Sequence, residues 1–102
     1  MKLLTKEVCK RLPALRSTED VPLDDKIAVV KFFFPWGRAT FYATEGDPNT
    51  GEFFGYVVSP LGPDCDEWGY FYLPELIEIR GPGGLSLERD MHFKPTKVSE
   101  LI

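Results

Sequence analysis

Histidine is nearly missing from this chain: His92 is the only one among 102 residues. A Ser–His or Cys–His nucleophile would therefore have a single base to choose from, and Ser17, Ser59, Ser86 and Ser99 lack the Gly-x-Ser-x-Gly context of a nucleophile elbow. Cysteine is scarce too. Cys9 and Cys65 are the only two, they form no CxxC pair, and they show no metal-ligand spacing, so two free thiols are expected. No apolar run approaches the ~20 residues of a membrane-spanning helix. Met1-Lys2-Leu3-Leu4 opens like a signal peptide, but Lys6, Glu7, Lys10 and Arg11 interrupt the apolar stretch such a peptide needs. A cytoplasmic protein is the expectation.

Cations are absent from the middle of the chain. No Lys or Arg occurs between Arg38 and Arg80, where Glu45, Asp47, Glu52, Asp64, Asp66, Glu67, Glu75 and Glu78 all fall. Counterion release on a phosphate backbone needs clustered cations, so this segment is unsuited to nucleic acid. Residues 1–16 carry five cations against Glu7 alone. The overall charge of −4 thus leaves −8 for the rest. Any nucleic-acid contact would fall on the basic amino-terminal helix expected within Lys2–Arg16. The simpler reading is a basic helix packed near an acidic sheet, with fields that largely cancel.

What is present is apolar and aromatic. A chain of this length makes one domain and buries roughly 60–70% of its unfolded surface, so it needs neither disulfides nor a metal for stability. Thr5 can cap a helix from Lys6 toward Leu12, with Leu4, Val8, Leu12 and Leu15 on one stripe and Pro13 ending it. Residues 17–25 read as a surface connection. Ile27–Phe34 reads as a strand apolar on both faces and hence central in its sheet. Pro35-Trp36-Gly37 turns a corner into a second strand, Arg38–Glu45. In it Arg38, Thr40, Tyr42 and Thr44 face one way, and Ala39, Phe41, Ala43 and Glu45 face the other.

Residues 46–51 have hairpin composition, and a third strand runs Glu52–Ser59. A loop over 60–67 leads to an aromatic strand, Gly69–Leu73, and then to a helix over residues 74–80, opened by Pro74 and closed at Gly81. Leu85–Phe93 reads as a last strand, and residues 96–102 as a terminal helical turn. The order α-β-β-β-β-α-β-α predicts an α+β fold, a mainly antiparallel sheet of about five strands with helices on one face. The expected organisation is one domain over 1–102, with the basic helix in 1–16 and the sheet core in 27–93.

Phe33-Phe34-Pro35-Trp36-Gly37-Arg38-Ala39-Thr40-Phe41-Tyr42-Ala43-Thr44-Glu45, then Gly69-Tyr70-Phe71 running into Leu73-Pro74-Glu75-Leu76, and Leu87-Glu88-Arg89-Asp90-Met91-His92-Phe93 form a motif set. From about Ala28 onward the chain resembles a family of small bacterial proteins defined only as a domain of unknown function, whose members occur on plasmids, phages and conjugative elements. The resemblance implies a stand-alone bacterial or mobile-element domain. It implies no activity and no site residues.

Three constellations carry possible chemistry. Glu88, Asp90 and His92 would share one face of the last strand, about 7 Å apart at each step. That row offers a divalent-metal or acid–base site, but it is too long for one ion without a further ligand from Glu45, Asp64, Asp66 or Glu67. The plain alternative is a charged outer face on an edge strand. Arg89 among Leu87 and Met91, and Arg38 beside Trp36, need carboxylate partners such as Glu45 or Asp90; the functional alternative is an anion pocket of Arg38, Arg89 and His92. The aromatic group Phe53, Phe54, Tyr56, Trp68, Tyr70, Phe71 and Tyr72 divides between core and one exposed contact patch.

Asp64-Cys65-Asp66-Glu67 lacks the alternation of a calcium loop, and Gly81-Pro82-Gly83-Gly84 is followed by no Gly-Lys-Ser/Thr. The sequence thus predicts a non-enzymatic, protein-binding module without a cofactor. Trp36, Arg38, Trp68, Arg89 and His92 are its candidate surface, together with the acidic stretch Glu45–Glu67. A metal-assisted hydrolase acting through Glu88, Asp90 and His92 is the alternative, and an acidic DNA mimic the third.

Overall fold

A computed structural model describes residues 1–102. Helix α1 spans Lys6–Arg11, and its Thr5 cap accepts a hydrogen bond from the Val8 amide at 3.1 Å. Seven strands follow: β1 Ile27–Ala28, β2 Val30–Phe33, β3 Thr40–Asp47, β4 Glu52–Val58, β5 Glu67–Tyr72, β6 Glu88–Arg89 and β7 Thr96–Lys97, with helix α2 (Leu73–Ile77) between β5 and β6. Five of them make one antiparallel sheet in the order β5-β4-β3-β2-β6, and β1 pairs with β7 in a second, two-stranded sheet. The architecture is the expected α+β one. No helix is long and apolar enough to cross a membrane.

The two faces of the large sheet differ. The inner face carries Phe32, Phe41, Ala43, Phe53 and Phe71, and packs with Val8 of α1, Leu73 of α2 and Leu87 into one buried cluster. Phe32 meets Phe53 edge-on at 5.7 Å between ring centroids, and Phe53 stacks on Phe71 at 5.6 Å. Gly55 lets the backbones of β3 and β4 close up: a Cβ there would lie 1.8 Å from the Tyr42 carbonyl oxygen. The Pro-Trp-Gly corner folds back on this cluster. Trp36 stacks on Phe34 at 4.8 Å, and its indole lies so close to Gly81 that a Cβ at Gly81 would come within 2.2 Å of the ring.

Several boundaries differ from the sequence pattern, each for a local reason. The strand expected over 27–34 breaks at Val29: β1 joins the small sheet, while β2 stays central between β3 and β6. The second strand runs on to Asp47, past a β-bulge between Ala43 and Glu45. The helix expected over 74–80 stops at Ile77, where Glu78 and Ile79 donate to carbonyls three residues back and the Arg80 guanidinium takes the Ile77 carbonyl. The strand expected over 85–93 shrinks to Glu88–Arg89. Asp90 ends it: its carboxylate accepts from the His92 amide at 2.9 Å, and its carbonyl accepts from Phe93 at 3.3 Å, which turns the chain. The terminal helical turn expected over 96–102 is present but shorter, a 3₁₀ turn at Val98–Glu100, because Thr96–Lys97 forms β7.

Candidate functional site

Cross-strand partners share a sheet face, so the registers define the outer face as well. Tyr42 pairs with Tyr56, Tyr56 with Trp68, and Phe54 with Tyr70. All are half-buried except Tyr70, which is 52% exposed. The rings of Phe54, Tyr56, Trp68 and Tyr70 touch in one group, and Tyr42 stands beside Tyr56 in the register. Phe54 stacks on Trp68 at 5.9 Å and tilts on Tyr70 at 5.0 Å, Tyr56 meets Trp68 edge-on at 5.6 Å, and Tyr42 leans on Phe93 at 6.1 Å. Both helices contribute to the core cluster on the opposite side. The strict alternation of β4 and β5 thus sends Phe53 and Phe71 inward and Phe54, Tyr56, Trp68 and Tyr70 outward, the division expected of the aromatic group.

One end of this band is clamped by a network the sequence pattern misses. The bulge at Thr44 moves Glu45 from the Phe41 face to the outer face, where it pairs with Phe54. Glu45 is therefore no part of an exposed acidic surface: it is 2% exposed, and Lys26, 3.7 Å away, is 5% exposed. The carboxylate accepts from the Arg16 amide at 2.7 Å, the Thr18 amide at 3.2 Å and the Thr18 hydroxyl. Lys26 donates in turn to the Thr18 carbonyl and hydroxyl. Burial pushes the Glu45 carboxyl upward, but the Thr18 hydroxyl, the two amides and the Lys26 ammonium together hold it below the ordinary glutamate range.

Arg16 takes a left-handed backbone, φ 68°, at the entry to this clasp. Its guanidinium faces Tyr70 across this end of the band, and the Tyr70 hydroxyl holds it above the ordinary arginine value. A cleft of about 230 Å³ lies between Arg16, Glu19, Lys26, Glu45, Phe54 and Tyr70. Every oxygen of Glu45 is already engaged, so the pair fastens the 16–26 segment onto the sheet and holds no free base.

The other end is closed by Arg38. Its guanidinium makes two 2.7 Å bonds to Asp66 and one of 2.6 Å to the Ser59 carbonyl, and Asp66 also accepts from the Ser59 amide at 2.7 Å. Arg38 thus takes Asp66, not Glu45, as its carboxylate. The bond to Arg38 holds Asp66 below, and Arg38 above, their ordinary values. The pair ties the 59–66 loop to the corner that follows Trp36.

The remaining sequence candidates lie elsewhere. Trp36 is half-buried against Phe34 and Gly81. Arg89 takes no acid: it donates to the Lys2 carbonyl at 3.3 Å, its amide meets the Met1 sulfur at 3.1 Å, and its Nε is buried without a partner. Asp90 pairs with Lys31 at 3.7 Å, and His92 is exposed in the turn that Asp90 makes. That turn breaks the row of alternate positions proposed for Glu88, Asp90 and His92. No three His, Cys, Asp or Glu side chains are gathered closely enough to hold a metal ion.

Comparison with known proteins agrees with the resemblance carried by the motifs. The model of a family described as "Protein of unknown function (DUF2958)" matches residues 3–101. No curated protein and no solved structure matches the chain. With nearly its whole length under that one model, the chain belongs to the DUF2958 family.

Proposed function

We propose that this chain is a non-enzymatic module that binds another protein through the outer aromatic face of its five-stranded sheet. One observation carries the reading: Tyr42, Phe54, Tyr56, Trp68 and Tyr70 form a contiguous half-exposed band on the face opposite the core. Aromatic residues with polar tips are the side chains that dominate protein contact surfaces. The ionisable groups around the band support the same reading. Lys26 serves Glu45, Lys31 serves Asp90 and Arg38 serves Asp66. Each of these three cations is already matched by a carboxylate, so none of the three is free for a nucleic-acid backbone. The partner surface is accordingly another protein's, apolar at its centre and polar at its rim.

The test is capture from a bacterial lysate on immobilised protein, comparing the wild type with Tyr56→Ala/Trp68→Ala and with Lys6→Glu/Lys10→Glu. A protein retained by the wild type and by the helix variant, but lost with the aromatic variant, supports the reading. Capture of nothing, or capture undiminished by the aromatic substitutions, refutes it.

A further inference from the structure

The large sheet ends in two edge strands of very different character. β6 is two residues long, too short to template another chain. β5, Glu67-Trp68-Gly69-Tyr70-Phe71-Tyr72, is six residues long and pairs with β4 in unbroken register. It has no lysine, no proline and no bulge, and its one edge-blunting charge, Glu67, stands at its first position. Nor is it covered at its centre: no backbone hydrogen bond from a loop or turn reaches Trp68, Gly69 or Tyr70.

The hydrogen-bond phase fixes what this edge offers. Leu73 donates to the Gly51 carbonyl at 2.8 Å. Antiparallel partners alternate between exchanging and not exchanging bonds, so the continuing register puts Phe71, Gly69 and Glu67 in the phase that bonds toward β4. The N–H and C=O groups of Trp68 and Tyr70 therefore point outward, away from the sheet.

We infer that the occupant of this edge is a second copy of the chain, joined β5 to β5 antiparallel about a two-fold axis at Gly69. The strand is complementary to itself in that register. Trp68 stands opposite the second copy's Tyr70 and Tyr70 opposite its Trp68, so the outward backbone groups of both residues are satisfied in exchanged pairs. Those two positions share the outer face, where aromatic cross-strand pairs are favourable. The pair on the axis is a close, non-bonded one, and glycine leaves it no side chain to clash. The only charges in the strand are the two Glu67 carboxylates. The register separates them by four residue rises, about 13 Å, which exceeds the roughly 8 Å over which charges act at physiological salt. The product is a continuous sheet across both copies, with the two aromatic bands merged into one. Because β6 is so short, the assembly closes at two chains. This inference does not depend on the protein-binding role proposed above.

Sedimentation velocity across micromolar to millimolar concentrations, with amide exchange followed by NMR, tests it. The expected result is a mass rising from one chain to two. The Trp68 and Tyr70 amides slow as the dimer fills, and the Gly69 amide, already bonded to β4, does not change. Tyr70→Pro, which removes an outward N–H and no bond of the β4–β5 ladder, keeps the chain monomeric. A single-chain mass at every concentration overturns the inference, as does a mass beyond two chains. So does a dimer in which the Trp68 and Tyr70 amides exchange at the monomer's rate. Should Tyr70→Pro fail to fold, the wild-type amide rates decide alone.

Discussion

Glu45→Gln isolates the charge of the buried clasp while nearly keeping its shape. Glutamine retains one oxygen to accept from the Arg16 or Thr18 amide, but it removes the counter-charge of Lys26, which is 5% exposed and has no other acid partner. Breaking a buried pair from one side typically costs about 3–5 kcal/mol, because the remaining charge stays buried and uncompensated. A domain of this size has roughly 5–15 kcal/mol in total. Each kcal/mol moves its melting point by about 4–8 °C, so a fall of at least about 12 °C is expected. Urea unfolding followed by circular dichroism at pH 7 reads the loss directly. Lys26→Met/Glu45→Gln should be more stable than Glu45→Gln alone, since it removes the stranded ammonium.

The same pair sets a pH signature. Glu45 is depressed in the folded state, so its unfolded form binds a proton first as the solution acidifies, and stability rises with pH wherever that difference operates. Its contribution is complete above the ordinary glutamate value of 4.5 and is lost as pH falls through the folded value below it. Glu45→Gln should flatten the wild type's acid destabilisation in that window. A Glu45→Gln cost below about 1 kcal/mol at pH 7, the level of an exposed pair, would refute the reasoning.

Three further outcomes follow from the packing. Gly55→Ala drives a methyl into the Tyr42 carbonyl between two central strands, and should cost more than about 4 kcal/mol or prevent folding, read by soluble yield and circular dichroism. Gly81→Ala displaces the Trp36 indole from its seat; about 1–3 kcal/mol of destabilisation by urea unfolding is expected, with a shift in tryptophan emission. Asp66→Asn removes the charge that fastens Arg38 and weakens the hold on the Ser59 amide, so that amide should exchange faster while those of β3 and β4 keep their rates.

Local pattern carried the reading wherever the physics was local. Thr5 is a cap because its oxygen reaches an amide three residues on. β4 and β5 alternate because each has a buried and an open face. The failures came where a distant partner or a side chain overrode the pattern. Ala39, Phe41, Ala43 and Glu45 alternate as one face, yet Thr44 bulges and Glu45 crosses to reach amides 27 and 29 residues earlier in the chain. Leu87, Arg89, Met91 and Phe93 also alternate, yet Asp90 turns the chain and leaves Met91 65% exposed. Lys26 offered a weak clue: a lone cation next to a long apolar run has to find an acid if that run is buried. The aromatic band was half legible. Phe54, Tyr56, Trp68 and Tyr70 belong to the aromatic group the sequence offers, but Tyr42 does not, and its place beside Tyr56 depends on a register that the sequence does not display.

The most direct test of the aromatic face as the working surface is amide hydrogen exchange on the chain alone and in complex with a captured partner. Added protection should concentrate in residues 52–58 and 67–72. Protection confined to residues 1–16 or 85–93, with β4 and β5 unchanged, would contradict the account.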